Sequence, residues 1–150
     1  MQLTKQTDFA FRVLIYLASK PDQDLSQIQT IATRFDISRS HVMKIVQKMA
    51  NSGLIESLRG QGGGLKLAKP SDQINLREVV ELMETTLNPV NCHEPVCLIE
   101  TSCVLKNHFY QAQEKYLAHL SQFSLGDIVT PQVRQEIFIT EISTQPASLH

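Results

Sequence analysis

The fold of this 150-residue chain is decided by the stretch 37–51, which reads ISRSHVMKIVQKMAN. Ser38 can cap the start of a helix, because its side-chain oxygen can accept a hydrogen bond from the first turn. Apolar residues then recur at the spacing of one buried helix face, namely Val42, Ile45, Val46 and Met49. The opposite face has no acidic residue and predicts a helix that reads the major groove of DNA. The predicted DNA contacts of this helix are Ser38, Arg39, Ser40, His41, Lys44 and Lys48.

Two shorter amphipathic helices precede this stretch. Residues 7–19 show helical periodicity with Thr7 as the predicted N-cap, and residues 28–35 show it again. Ser26 and Gln29 have the spacing of a capping box, which predicts the start of the second helix. The second and third helices, joined by a tight turn, predict a helix-turn-helix.

A glycine-rich hairpin follows the helices. Residues 54–58 and 65–68 suit short strands, and the segment RGQGGG at 59–64 holds four of the six glycines of the chain. Glycines allow the backbone to lie close to a phosphate or to enter the minor groove, whose negative potential attracts an arginine. The segment lacks the Gly-Lys-Ser/Thr ending of a P-loop. Residues 1–70 therefore predict a winged helix-turn-helix. The predicted wing contacts are Arg59, Gly60, Gln61, Gly62, Gly63 and Lys66.

The charge of the chain is divided between its two halves. Residues 1–70 hold ten basic and five acidic side chains, whereas residues 71–150 hold four basic and ten acidic ones. The first half is therefore suited to a polyanion such as double-stranded DNA. No apolar run is long enough for a membrane span, and the N-terminus lacks a signal-peptide pattern, so we expect a cytoplasmic protein. The sequence contains no P-loop, nucleophile-elbow or zinc-hydrolase motif, which argues against an enzyme.

Three further regions are predicted beyond residue 70. Residues 71–104 form a linking helix, capped by Asn75 with Glu78 at the reciprocal position, and a loop with all three cysteines. Residues 105–129 form a long dimerisation helix and a following turn, although packing of that helix within one chain is the alternative. Residues 130–150 form a C-terminal extension that is disordered at its end, from 143. The expected fold class is mainly α with a small β-hairpin, a winged helix-turn-helix plus a long C-terminal dimerisation helix.

The cysteines Cys92, Cys97 and Cys103 are separated by gaps of four and five residues. An odd number of cysteines in a cytoplasmic chain argues against a disulfide framework, and paired Cys-x-x-Cys elements of a zinc site are absent from the sequence. Three thiolates on one loop can hold an iron–sulfur cluster, which usually needs a fourth ligand. His93 and His108 are nearby candidates, and a distant acid or a partner subunit could also supply it. Free thiols and a thiol-based oxidant sensor are the alternatives.

From Met1 to about Val129 the chain resembles the small iron–sulfur winged-helix repressors that include NsrR and IscR. The resemblance rests on Leu3-Thr4, TDFAFR at 7–12, ISRSHVMKI at 37–45, RGQGGGLKLAKP at 59–70 and the cysteine loop. The cysteine loop is similar to the NsrR branch, whereas IscR-like members have five residues in both gaps. The similar features are Val90-Asn91-Cys92, the four-then-five spacing and Val104-Leu105-Lys106.

This resemblance implies a nitric-oxide-sensitive repressor that binds a palindromic operator as a homodimer and leaves it when nitric oxide attacks the cluster irons. The implied cluster ligands are Cys92, Cys97 and Cys103, with Asp8 of the partner subunit as the fourth. The resemblance favours a 4Fe-4S cluster, with 2Fe-2S as the alternative. A regulator of iron–sulfur assembly or iron supply is the nearest competing function. A thiol-based redox sensor and an electron-transfer protein are more distant ones.

Overall fold

Seven α-helices and one antiparallel β-hairpin make up the part of the chain that the structure, a computed structural model, describes: residues 2–21 and 24–143. In chain order the elements are α1 (Lys5–Ser19), α2 (Ile28–Phe35), α3 (Arg39–Asn51), β1 (Ile55–Leu58), β2 (Gly64–Leu67), α4 (Leu76–Met83), α5 (Val104–Leu120), α6 (Leu125–Ile128) and α7 (Pro131–Ser143). Short 3₁₀ turns at Ser71–Gln73 and Glu100–Ser102 precede α4 and α5. The predicted fold class, mainly α with a small hairpin, is confirmed.

The helix α3 has the buried face that its sequence predicts. All four apolar side chains of that face are buried, and they pack into the core that α1 and α2 share. The Oγ of Ser38 accepts a hydrogen bond from the backbone N–H of His41 at 3.3 Å, which confirms the predicted cap. Gly53 follows the helix with a φ of 79°, a left-handed conformation in which glycine has no steric penalty.

The turn between α2 and α3 is short because Asp36 adopts a left-handed conformation with a φ of 52°. The backbone N–H of Ile37 donates to the carbonyl oxygen of Ala32 at 2.9 Å and closes the end of α2. The side chain of Ile37 is buried, so packing as well as hydrogen bonding holds the turn. The exposed face of α3 therefore has a defined direction relative to α2.

The start of α1 differs from the sequence-based prediction. α1 begins at Lys5 after Thr4, so the prediction that Thr7 caps the helix is wrong. Thr7 lies within the first turns, where its side chain is fully buried. Its hydroxyl donates a hydrogen bond to the carboxylate of Glu84, just beyond α4. Thr7 thus bonds to Glu84, which is distant in the chain, and does not cap the helix.

The predicted capping box of α2 is also wrong. α2 begins at Ile28 after Gln27, whose side chain makes no capping hydrogen bond. The backbone of Ser26 instead pairs with Leu65 of β2 through hydrogen bonds of 2.9 and 2.8 Å. Ser26 therefore extends the hairpin by one bridge. Its backbone pairs with β2, and its side chain does not cap α2 as the local preference of serine predicts.

The wing is a short hairpin whose tip depends on glycine. β1 and β2 pair antiparallel, and Gly60 and Gly62 in the connection have positive φ values of 95° and 78°. Gly63 is constrained by space, since a Cβ at this position would lie 2.1 Å from the carbonyl oxygen of Leu58. The glycine-rich sequence therefore produces the narrow tip that was predicted from it.

The helix α4 begins with half of the predicted capping box. The Oδ1 of Asn75 accepts a hydrogen bond from the backbone N–H of Arg77 at 2.9 Å. The reciprocal bond predicted for Glu78 is replaced by an ion pair with Lys69, at 3.1 Å. This pair connects α4 to the segment that follows the wing.

The helix α7 is not predicted by the sequence, which indicates only an extension there. α7 packs against α1, and Ile137 is buried in the core. The guanidinium of Arg34 on α2 donates to the carbonyl oxygens of Glu136 and Ile137. The last helix therefore contacts both α1 and the first helix of the helix-turn-helix.

The expected disorder at the C-terminus concerns residues 143–150. Ser143 is the last residue of α7, and residues 144–150 lie outside the described part of the chain. Within the described residues, none of the helices is long and apolar enough to cross a membrane.

Replacement of Met49 by alanine tests the packing of α3. Met49 is fully buried, so Met49→Ala leaves a cavity and we expect a loss of about 2–5 kcal/mol in the free energy of unfolding. Met43 lies on the same helix but is 45% exposed, and Met43→Ala is the matched control with an expected loss of about 0.5 kcal/mol. Urea unfolding at one fixed protein concentration measures both values. Equal losses in the two variants would contradict the faces assigned to α3.

Candidate nucleic-acid interface and cysteine loop

The exposed face of α3 gathers most of the side chains predicted to contact DNA. The exposed members are Ser38, Arg39, Ser40, His41 and Lys44. Because the opposite face of α3 is buried, these side chains are directed away from the protein and are accessible to a ligand. The face combines positive charge with hydroxyl and imidazole donors, which suits phosphates and base edges.

Lys48, which the sequence also predicts as a DNA contact, lies at the edge of this group, and it lines one cavity together with His41 and Lys44. It is half-buried, and its ammonium donates a hydrogen bond of 3.5 Å to the carbonyl oxygen of Met83, the last residue of α4. The structure thus places Lys48 at the junction of α3 and α4, beside the exposed face.

The wing presents its predicted residues in two ways. Arg59, Gly60, Gln61 and Gly62 are exposed at the tip. Gly63 is half-buried, and Lys66 is half-buried beside Glu56, with 3.5 Å between ammonium nitrogen and carboxylate oxygen. Arg59 is therefore the most accessible cation of the wing, while the charge of Lys66 is partly compensated.

A groove lies between the wing and the first turn of α3. Its lining residues are Gln27, Ile28, Gln29, Arg39, Ser57, Leu58, Gly60, Gly62, Gly63, Gly64 and Leu65. The groove shows that the wing tip and the start of α3 share one side of the molecule, where a duplex can contact both. Gln27 and Gln29 were not predicted as part of this surface. Their position at the start of α2, the first helix of the helix-turn-helix, could have indicated that they belong to it.

The cysteine loop runs from the end of α4 to the start of α5. Cys92, Cys97 and Cys103 are free thiols, and all three are half-buried. The backbone N–H of Cys97 donates to the carbonyl oxygen of Cys92 at 2.9 Å. Cys103 is the N-cap of α5, where its Sγ accepts a hydrogen bond from the N–H of Lys106 at 3.3 Å. The sulfur of Cys103 is therefore fixed at the start of α5.

Charged groups of the loop are paired with one another. Glu100 lies 2.7 Å from the ammonium of Lys106 and 3.6 Å from the imidazole Nδ1 of His93. The hydrogen bond from Lys106 lowers the pKa of the Glu100 carboxyl, and the same bond raises the pKa of Lys106. Glu100 and His93 are thus engaged with each other, while His108, the other local candidate for a fourth ligand, is exposed on α5.

The chemistry of the donor set fits an iron–sulfur cluster better than a single metal ion. Among the described residues, no three His, Cys, Asp or Glu side chains are close enough to hold one ion together. In a 4Fe-4S cluster each thiolate binds a different iron, so three soft ligands spread along a loop can fill three of its four ligand positions. Asp8 is half-exposed on α1, and its carboxylate pairs with Arg12 at 2.9 Å. It forms no such group with the cysteines of its own chain.

Glu84 is a connecting residue that the sequence analysis did not identify. It follows the last residue of α4, and its Oε1 accepts hydrogen bonds from the backbone N–H of Thr4 at 2.8 Å, from the Thr4 hydroxyl at 3.0 Å and from the Thr7 hydroxyl. Burial acts to raise the pKa of Glu84, but these bonds, with the nearby charge of Lys48, outweigh it and hold that pKa below its ordinary value. Local sequence carries no signal for contacts between residues so far apart.

Comparison with known proteins gives these features a family context. Residues 3–131 match the Rrf2 family, described as an iron-dependent transcriptional regulator. The HTH-type transcriptional regulator NsrR of Halalkalibacterium halodurans is 39% identical over 133 residues, which cover 87% of this chain and 91% of that protein. The family match includes α3, the wing and the whole cysteine loop.

Two solved structures share the fold. CymR (YrzC), the global cysteine regulator of B. subtilis, matches with a TM-score of 0.72 at 21% identity, over 86% of this chain and 96% of that one. T. potens IscR matches with a TM-score of 0.68 at 16% identity, over 97% of this chain and 93% of that one. The likeness at these identities concerns the fold, and the predicted winged helix-turn-helix class is confirmed by it.

The hydrogen bonds of Glu84 give stability a specific dependence on pH. A carboxyl whose pKa is lower in the folded chain stabilises the fold above its unfolded pKa, and the contribution is lost as the pH falls through the folded pKa. We expect the wild-type chain to exceed Glu84→Gln in free energy of unfolding at neutral pH, and the difference to shrink below pH 4.5, the ordinary pKa of the group. Urea unfolding over a pH series measures both chains. A difference that stays constant into the acidic range would contradict this assignment.

Proposed function

Because the chain belongs to the Rrf2 family of transcriptional regulators, we propose that it is a repressor that binds operator DNA as a homodimer and is released by nitric oxide. The observation that carries the DNA-binding part is the common side shared by the exposed face of α3 and the wing tip. Three free cysteines on one loop, together with the similarity to NsrR, support the sensing part.

In this proposal α3 lies in the major groove of the operator. Arg39 and Lys44 provide charge and donors to guanine edges and phosphates, while Ser38, Ser40 and His41 contact the adjacent backbone or bases. The wing places Arg59 at the neighbouring minor groove, where its exposed guanidinium meets a concentrated negative potential. The composition of residues 1–70 supports this arrangement. Their excess of basic over acidic side chains leaves positive charge that can pair with phosphates.

Exposed apolar side chains support a homodimer. Leu105 and Phe109 of the predicted α5 stripe are 59% and 41% exposed, and Val104 beside them is also exposed. In the preceding loop, Leu98 and Ile99 are exposed as well. The inner face of α5 is occupied by its own chain, so this outer patch is available for a second copy. A dimer with two-fold symmetry would present two copies of α3 to the half-sites of a palindromic operator.

Cys92, Cys97 and Cys103 would hold the cluster, with Asp8 of the partner subunit as the fourth ligand; we propose the 4Fe-4S form over 2Fe-2S. The cluster supplies irons that react with nitric oxide. Asp8 can be released for this role, because its ion pair with Arg12 is solvent-exposed and such pairs stabilise a fold only weakly. The loop of one subunit is then attached to α1 of the other.

This attachment explains how the loop controls DNA binding. α1 packs directly against α3, so a loop that holds the partner's α1 also restrains the partner's recognition helix. Two restrained helices keep the separation that the half-sites require. When the attachment is lost, α3 of each subunit is no longer held at that separation, and the affinity for the operator falls.

Removal of one charge from α3 tests the DNA interface. We expect Lys44→Ala to weaken binding and to reduce the slope of log K against log salt concentration by about 2, because each subunit of the dimer loses one phosphate contact. Lys115→Ala removes the same charge from the exposed surface of α5 and is the matched control, with an unchanged slope. Fluorescence anisotropy with a duplex that the wild-type chain selects from a random library measures both. An unchanged slope in Lys44→Ala would exclude this face from the interface.

Mixed dimers test whether Asp8 acts across subunits. Neither Asp8→Ala nor Cys103→Ala should hold a complete site as a homodimer. In a mixed dimer, the Asp8→Ala chain keeps three cysteines and the Cys103→Ala chain contributes Asp8, so we expect one site to be restored. Iron content and visible absorption of anaerobically co-purified, differently tagged chains report the result.

Three outcomes would count against parts of the proposal. A wild-type spectrum in the Asp8→Ala homodimer would show that Asp8 is not a cluster ligand. A mixed dimer without iron would show that the partner subunit does not supply the fourth ligand. Operator binding that responds to iron supply but is insensitive to nitric oxide favours the regulator of iron–sulfur assembly.

A further inference from the structure

The base of the cysteine loop is hydrogen-bonded to the DNA-binding unit of the same chain. We propose that Glu84 is a positioning residue that couples the cysteine loop to α1 and α3 within one subunit, an inference that rests on the proposed function for the signal it transmits. The coupling is separate from the attachment through Asp8, since it joins parts of a single chain.

The first half of this coupling is the contact with α1. One oxygen of Glu84 accepts three hydrogen bonds, two from Thr4 before the helix and one from Thr7 in its first turns. The hydroxyl of Thr7 is fully buried, so loss of its acceptor would leave a buried polar group without that partner. The position of Glu84 therefore determines where the first turn of α1 can lie.

The same end of α4 also holds α3. The carbonyl oxygen of Met83 accepts the hydrogen bond from Lys48, and the side chain of Met83 is buried in the core. Lys48 lies one helical turn beyond Lys44, which is on the exposed face of α3. A displacement of residues 83–84 thus reaches the recognition helix through one hydrogen bond and a packed side chain.

The other half of the coupling leads from Glu84 to the cysteines. The buried side-chain amide of Gln113 on α5 donates to the carbonyl oxygen of Leu87, three residues beyond Glu84. α5 itself begins at Val104, and the sulfur of Cys103 caps it. A shift of α5 or of the cysteine loop is therefore transmitted to residues 84–87, which are held between α5 and α1.

Coupling of this kind must act in both directions, because binding free energies are reciprocal. If Glu84 transmits a change of the loop to α3, DNA bound at α3 must change the loop. The loop carries its own reporter, since three free, half-buried thiols react at rates that depend on their exposure.

The experiment measures the rate at which the thiols of the cluster-free, full-length chain react with Ellman's reagent, with and without a saturating duplex selected by the wild-type chain. We expect the duplex to change the rate about fivefold or more in the wild-type chain, the lower end of typical allosteric couplings. Glu81→Leu, which removes a carboxylate from the exposed side of α4, should retain the change. Glu84→Leu removes the oxygen that accepts all three hydrogen bonds and should lose most of the change at saturating DNA. Direct shielding of the thiols by DNA would persist in Glu84→Leu and would overturn the proposal.

A second pair of variants tests the same contact if Glu84→Leu does not fold. Thr7→Val removes the hydroxyl with little change of shape and should lose the DNA-dependent change, whereas Thr7→Ser keeps the donor and should retain it. Equal behaviour of these two variants, or no change of rate in the wild-type chain, would overturn the coupling. Because the chain is cluster-free, failure of nitric oxide sensing leaves this result intact. Failure of the cluster-loaded chain to select any duplex refutes the proposed function instead.

Discussion

The burial of one face of α3 is the constraint on which the rest of the molecule depends. A fully buried aliphatic or methionine side chain stabilises a fold by about 1.5–3 kcal/mol, whereas an exposed ion pair contributes about 0–1 kcal/mol. The apolar face therefore decides how α3 is rotated against α1 and α2, and the polar face contributes much less to that rotation. Arg39 and Lys44 are presented to solvent as a consequence of core packing, which leaves their chemistry available for a partner.

The cysteine loop is joined to this core at two places with different properties. At Cys103 the loop becomes a long helix whose outer surface is apolar, and at Glu84 it leaves a short helix that contacts α1 and α3. One end thus lies toward the surface proposed for a second subunit, and the other lies against the DNA-binding unit of the same chain. A loop in that position can respond to both without containing any residue that touches DNA.

Local chemistry determined which elements the sequence could predict. The rotation of α3, its serine cap and the glycine tip of the wing follow from periodicity and from residues within one turn of each other. Thr7 and Ser26 were misassigned because their partners, Glu84 and Leu65, are distant in the chain and compete with a capping role. The helix α7 was missed because its apolar residues do not form a clear stripe, although Ile137 is buried. The cysteines could be proposed as cluster ligands from their spacing, whereas Glu84 is recognisable only from the folded chain.

The crowded backbone at Gly63 has a consequence for mutational drift. Any side chain at this position would overlap the carbonyl oxygen of Leu58, and left-handed backbone at Gly60 and Gly62 disfavours other residues there. Substitution is therefore costly at three positions of the tip, through overlap at Gly63 and through backbone strain at Gly60 and Gly62. Arg59 and Gln61 are the positions of the tip where other side chains fit. Substitutions there could therefore change what the wing binds without changing its backbone.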